Sequence, residues 1–167
     1  ADYAPNVASE WSVSPCCGKV FIFKIDPAAK WSDGKPITAE DVLWSFNAIM
    51  NPKHLTGPYK IGLATFLEIP PVILDERTIK FTAAEAHWRN LGTIGGFPIL
   101  PKHCFEGKDF NKINFDFPVV SGPYMLSGMK ENISLTMKRR NDWWQSERPA
   151  NKNLFNFDFI EYRFHTD

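Results

Sequence analysis

Residues 31–52 read WSDGKPITAEDVLWSFNAIMNP, which sets a tight turn, a helix start, an amphipathic helix and a stop in unbroken succession. Asp33-Gly34 ahead of Lys35-Pro36 is turn chemistry, because glycine accepts a positive backbone angle and proline cannot continue a hydrogen-bonded ladder. Thr38 stands at the N-cap position and Asp41 at the capping-box position. Glu40 and Asp41 then place negative charge in the first turn, where the helix dipole favours it. Val42, Leu43, Phe46, Ile49 and Met50 recur at three- and four-residue spacing and predict one apolar stripe. Asn51-Pro52 closes the helix, since a residue before proline is pushed out of helical geometry. A helix this short is not stable alone, so the stripe requires a surface to lie on.

Strand signals on either side offer that surface. Residues 20–25 are β-branched and aromatic, and the turn sequence Ser14-Pro15-Cys16-Cys17-Gly18 precedes them. Residues 70–74 and 78–83 flank the charged triplet Asp75-Glu76-Arg77, with Ile79 and Phe81 alternating against Lys80 and Thr82, which predicts an antiparallel pair around a solvated turn. Residues 124–129 and 134–138 alternate as strands about a turn at 130–132, and 157–164 reads as a half-buried strand with partners beyond the last residue. Between these, 54–66 is expected as a loop punctuated by Gly57-Pro58 and Gly62, with His54 solvated. Residues 85–91 are too few for a helix, although Trp88 and Leu91 could share a face. Residues 92–101 are an irregular Gly- and Pro-rich stretch that lacks the context of a phosphate loop. Residues 105–117 form a surface excursion anchored by four phenylalanines, and 2–14 show little periodicity.

Composition narrows the function classes. A hydrophobic share of 44% with 23% charged residues is globular, and 19 basic against 19 acidic residues leave no net charge for a nucleic-acid or anionic-membrane surface. No apolar run approaches the length of a membrane span, and the first residues lack a secretory signal pattern, so a processed chain or a piece of a longer one is expected. Cys16, Cys17 and Cys104 show neither CxxC spacing nor a histidine pattern, which argues against a metal site and leaves a disulfide to Cys104 or unpaired thiols, the latter preferred. No GxSxG, HExxH or P-loop is present, and no cofactor is expected. The enzyme alternative is a hydrolase lobe with His87 or His103 as general base. Lys138-Arg139-Arg140 is a run of strand-end charges expected in solvent.

Several blocks resemble one family. FIFKI followed by AKWSDGKPITAEDVLWSF, then ILDERTIKFT, ILPKH, SGPYML and LTMKRRNDWW resemble, in that order, the family 5 extracellular solute-binding proteins, the oligopeptide and dipeptide receptors of bacterial ABC importers. HWRNLGTIGGFPILPKH is similar to the subgroup that includes the receptor for microcin C and related peptides. The resemblance implies an α+β fold with a mixed, largely antiparallel sheet and a few packed helices, part of a two-lobed periplasmic-binding-protein type 2 fold. Residues 1–118 would be the small subdomain of the N-terminal lobe, and 119–167 strands re-entering the main part of that lobe. It implies a short peptide as ligand, an ABC transporter permease as partner, a monomer, and a periplasmic or extracellular location with a lipid anchor in some cases. Nickel complexes, haem or oligosaccharide are the alternative ligands that it brings. Tyr59, in a Gly-Pro-Tyr after the helix, matches the tyrosine that reaches bound peptide in the family, while its bland reading is a cap on the edge of the core. The usual Asp-Gly of the first hairpin is replaced here by Cys17-Gly18, and the usual Tyr-Trp after the basic run by Trp143-Trp144.

Overall fold

The helical stripe finds its surface in a four-stranded antiparallel sheet. A computed structural model describes residues 3–112 and 119–165 and divides the chain into two units. Unit 1 is Ala1–Pro27 with Ile37–Asn114, and unit 2 is Ala28–Pro36 with Phe115–Asp167.

In unit 1 the sheet runs in the order β1-β2-β4-β3, from β1 (Ala8–Val13), β2 (Val20–Ile25), β3 (Val72–Asp75) and β4 (Thr78–Thr82). Phe21 lies opposite Phe81 and Phe23 opposite Ile79, so the central strands present rings and branched side chains to one face. Helix α1 (Ala39–Met50) lies on that face. Phe46 is 1% exposed and its ring is 5.5 Å from that of Phe81 and 6.3 Å from that of Phe97. Thr38 is the N-cap, and Asp41 Oδ2 accepts the Thr38 N–H at 3.0 Å, the arm that the capping box requires of it. Asn51, with φ −58 and ψ 123, leaves the helix as a residue before proline must.

The buried face of α1 is rotated from the predicted stripe. Val42, Phe46 and Ile49 are buried as expected, but Leu43 and Met50 are half-buried while Asp41, Ser45 and Ala48 are buried. The cause is polar: Ser45 Oγ donates to Asp41 O at 2.7 Å and accepts the Leu100 N–H at 2.8 Å. Asp41 Oδ1 accepts the Lys102 N–H at 2.9 Å. These two side chains hold residues 100–102 against the helix, and apolar periodicity cannot register them.

Other segments depart from the sequence reading. Residues 54–66 are mostly helical: α2 (Gly57–Leu63) continues into a 3-10 turn, Ala64–Phe66. Pro58 sits in the first turn, where a missing N–H costs nothing. Helix α3 (Asn90–Gly95) takes in two glycines of the Gly-rich stretch, and α4 (Lys102–Phe105) follows. The unreadable N-terminal stretch contains β1, an edge strand with a bulge between Ala8 and Glu10 and no fully buried residue, which is why no alternation marks it. Phe105 and Phe110 pack around Trp44 with ring separations of 6.2 and 6.5 Å. Phe115 and Phe117, also expected as anchors, lie outside the described residues.

Unit 2 holds a three-stranded antiparallel sheet, β5 (Tyr124–Lys130), β6 (Ser134–Arg139) and β7 (Phe159–Arg163). Strand β7 pairs with β6 of the same chain along one edge, and among the described residues no strand lies on its other edge. Asn132 turns the β5–β6 hairpin with φ 56. The turn at Asp33-Gly34 forms as read: Gly34 has φ +85, and Trp31 N–H donates to Lys35 O at 2.9 Å.

Arg140 overturns the expectation of solvated strand-end charges. Its side chain is 1% exposed and forms a two-pronged pair with Asp142, Nε to Oδ1 at 3.2 Å and Nη2 to Oδ2 at 3.1 Å. Its Nη1 donates to Val120 O and Gly122 O, both at 3.1 Å. Trp143 Nε1 donates to Ser121 O at 2.9 Å. The segment 120–123 has no regular structure of its own, and these two side chains hold its carbonyls.

Candidate functional site

Tyr59 lies in the first turn of α2, and that turn is fixed from several directions. Thr56, before the helix, accepts the Tyr59 N–H on its backbone oxygen at 3.1 Å, and its hydroxyl donates to Ile49 O in α1. Lys60 Nζ donates to His54 O. Asn111 Nδ2 donates to Lys53 O at 2.7 Å and its Oδ1 accepts the Leu55 N–H at 3.1 Å. His54 is therefore part of this anchor: its Nδ1 is 2.7 Å from Ala48 O and its ring stacks on Phe110 at 5.0 Å, so the reading of a solvated histidine is corrected.

Helix α2 lies close to α3 because small residues meet there. A Cβ on Gly62 of α2 would come within 3.0 Å of Thr93 Cγ2 of α3. An open cleft of about 220 Å³ remains between them, lined by Pro58, Tyr59, Gly62, Thr93, Gly96 and Phe97 among others. Tyr59 is 49% exposed at this cleft. Among the described residues nothing hydrogen-bonds to its hydroxyl, which leaves a donor and acceptor beside a ring that already has a fixed backbone. Thr93, Gly96 and Phe97 were not candidates from sequence, because glycines at 92, 95 and 96 suggest a loop and hide a helix packed closely on another.

The histidines of the enzyme alternative have different settings. His87 is exposed, accepts the Arg89 N–H on Nδ1 at 3.2 Å and stacks on Trp88 at 5.7 Å, while the Arg89 guanidinium lies 4.8 Å from the Trp88 ring. Trp88 is 79% exposed and, with Val13, Phe21 and Leu91, lines a second cleft of about 440 Å³. His103 is exposed on α4. Among the described residues no group of three or more His, Cys, Asp or Glu could hold a metal ion. The three cysteines are free thiols, Cys16 and Cys17 exposed and Cys104 half-buried.

With the sheet, the α1 cap and the basic-aromatic clamp in place, the chain matches the model of "Bacterial extracellular solute-binding proteins, family 5 Middle" over residues 2–167. The chain belongs to this family. The "Probable peptide-binding protein YejA" of Agrobacterium fabrum is 33% identical over 153 residues, which is 87% of this chain and 24% of that protein. The ABC transporter substrate-binding protein CtaP of Listeria monocytogenes is 27% identical with a TM-score of 0.77, over 98% of this chain and 32% of that one. NikZ of Campylobacter jejuni, solved in complex with Ni(L-His), is 25% identical with a TM-score of 0.74, over 83% of this chain and 27% of that one. The chain spans less than a quarter of the length of the first curated relatives that it matches, 23%. Its fold class is the α+β arrangement expected, antiparallel sheets with few helices, and its structural neighbours have the two-lobed periplasmic-binding-protein type 2 fold. The family is extracellular, and no helix among the described residues is long and apolar enough to cross a membrane.

Proposed function

We propose that this chain supplies part of one lobe of an extracytoplasmic receptor that captures short peptides between two lobes and delivers them to an ABC transporter permease. In this reading residues 119–167 return to the main part of the lobe, the receptor is a monomer, and a lipid anchor is one way of holding it at the membrane. Placement beside the microcin C receptor subgroup belongs to the same proposal. Tyr59 is the ligand contact. The observation that carries it is a half-exposed tyrosine with an unpaired hydroxyl, on a turn fixed by Thr56, Lys60 and Asn111, at a cleft floored by glycines. The hydroxyl can donate to a peptide carbonyl or accept from an amide. Closure of two lobes on a ligand is selective because the second set of contacts exists only in the closed state.

Calorimetry with short peptides on the full-length receptor and on its Tyr59→Ala variant tests this. Truncating a ring at such a contact should weaken binding by about 2 kcal/mol, roughly 30-fold, with the thermal midpoint nearly unchanged. The 167-residue chain alone should bind weakly, because one wall loses the opposite contacts while the entropy cost of association stays. A Tyr59→Ala receptor that is destabilised but binds peptide normally would return Tyr59 to a packing role. Preference for a nickel–histidine complex over peptide would replace the ligand class and keep the two-lobed mechanism.

A further inference from the structure

The turn that joins β1 to β2 sets two thiols side by side. Ser14 N–H donates to Val20 O at 2.9 Å and Gly18 N–H to Ser14 O at 3.0 Å, with Gly18 in left-handed geometry at φ +61. Within this loop the Cys16 thiol donates to Cys17 Sγ at 3.6 Å. Ser14 Oγ lies 3.3 Å from Cys16 Sγ and 3.0 Å from Cys17 Sγ. Both cysteines are exposed, so a dissolved reagent reaches either sulfur. The Ser14 hydroxyl first, then the Lys19 backbone N–H and the Cys16 thiol, hold the Cys17 thiol below its ordinary value. Thiolate is the attacking species in disulfide exchange, which gives the two sulfurs different parts to play.

We infer that Cys16 and Cys17 form a reversible redox pair oxidised by small-molecule disulfides, with Cys17 attacking first and Cys16 resolving. The Cys17 thiolate attacks one sulfur of the incoming disulfide. The bond between its two sulfurs breaks, and one half leaves as a thiolate that takes up the proton Cys17 gave to solvent. Cys16, 3.6 Å away, then loses its proton and attacks Cys17 Sγ, displacing the second half as a thiol and closing the Cys16–Cys17 bond. Two protein thiols are oxidised and one disulfide is reduced to two thiols, so the exchange balances.

Adjacent residues hold their Cα atoms about 3.8 Å apart across a trans peptide. An unstrained disulfide spans roughly 4.4–6.8 Å between Cα atoms. The ring between Cys16 and Cys17 is therefore strained, and a strained, exposed disulfide is easily reduced again. A staple for stability would be built with the opposite geometry. An extracytoplasmic compartment supplies disulfide oxidants that the cytosol suppresses.

The test is incubation of the native 167-residue chain with excess oxidised glutathione, quenching with iodoacetamide and mass mapping of the peptides. The expected product has the peptide with Cys16 and Cys17 two hydrogens lighter and unalkylated, and Cys104 alkylated. Reduced glutathione should reopen the ring. Cys16→Ser should stop with one glutathione on Cys17, and Cys17→Ser should react several-fold more slowly at Cys16. Alkylation of both thiols after incubation, two retained glutathiones, a bond to Cys104, or equal rates in the two single variants would each overturn the inference.

Discussion

In unit 1 the buried side chains are rings and branched aliphatics that touch one another, whereas in unit 2 the most enclosed charged group is a guanidinium that touches carbonyls. Phe21, Phe46, Phe66 and Phe81 are each no more than 2% exposed, and their rings meet edge to face or tilted at 5.5–6.3 Å. Among the buried hydrophobics of the described residues, unit 2 contributes Ala29, Trp31 and Trp143. Phe159 in β7 is 60% exposed, and Phe157 and Phe164 on either side of that strand are 73% and 54% exposed. The difference is instructive: interdigitated apolar surface is non-directional and stabilises an element wherever it lands. A network through Arg140 is directional and holds one segment in one place.

The largest effect should come from emptying the aromatic core. Phe46→Ala removes a ring that touches those of Phe81 and Phe97, and the loss should be about 3–5 kcal/mol in urea unfolding. Hydrogen exchange should show the lost protection in β2 and β4. A change within error of zero would mean that the ring cluster does not support unit 1.

Next is the guanidinium. Arg140→Ala leaves Val120 O and Gly122 O without their donors and should cost about 2–3 kcal/mol, with protection lost in β5 and β6 and retained in β2 and β4. Arg140→Lys keeps the charge but not the two-pronged geometry, so it should recover only a minor part. Full recovery with lysine would show that charge alone holds the segment. Equal loss of protection in both units would show that they unfold together and remove the contrast.

Ser45→Ala probes a place where unit 1 behaves like unit 2. The hydroxyl is fully buried and is the acceptor for Leu100 N–H, so its removal should cost about 1–3 kcal/mol even though no apolar contact is lost. Thermal unfolding of Ser45→Ala beside Ser45→Thr separates the hydroxyl from the space it occupies.

These residues also mark what could be read from the sequence. Strands β2, β3 and β4 and the ends of α1 were legible because local rules set them: alternation at Ile79 and Phe81, the cap at Thr38, the stop at Asn51-Pro52; β1, an edge strand without a fully buried residue, was not. The rotated face of α1 was not, because Asp41 and Ser45 are buried for hydrogen bonds to residues 61 and 55 positions away in the chain. Helix α2 was hidden by Gly57, Pro58 and Gly62, which carry turn propensity when read alone. In place, one is a helix-start proline and another a glycine of close packing. Tyr59 was named as a candidate by resemblance, and the residues across the cleft from it were not, since glycine spacing records only that something comes near. Arg140 was missed because a basic residue at a strand end ordinarily faces solvent, and its carbonyl partners lie in a segment without periodicity.

The smallest effect, and the sharpest test of the polar half of the comparison, is at Asp142. Hydrogen bonds from Arg140 hold its carboxyl below the ordinary value of 3.8, against a modest opposing effect of burial. A carboxylate with a lowered folded-state value stabilises the fold above its unfolded value, and that contribution fades as pH falls through the folded one. Unit 2 should therefore lose this contribution as the solution is acidified below about pH 4. The side chain is 56% exposed, so solvent screens the pair, and Asp142→Asn at neutral pH should cost no more than about 1 kcal/mol. The same substitution should flatten the acid dependence of protection in β5 and β6. Asp75, in unit 1, is also held below its ordinary value, chiefly by the Arg77 backbone N–H. Asp75→Asn should thus alter the acid profile of the β3–β4 hairpin and leave β5 and β6 as they were. If both substitutions changed both profiles alike, the acid response would belong to the chain as a whole, and Arg140 with Asp142 would not be the local clamp described here.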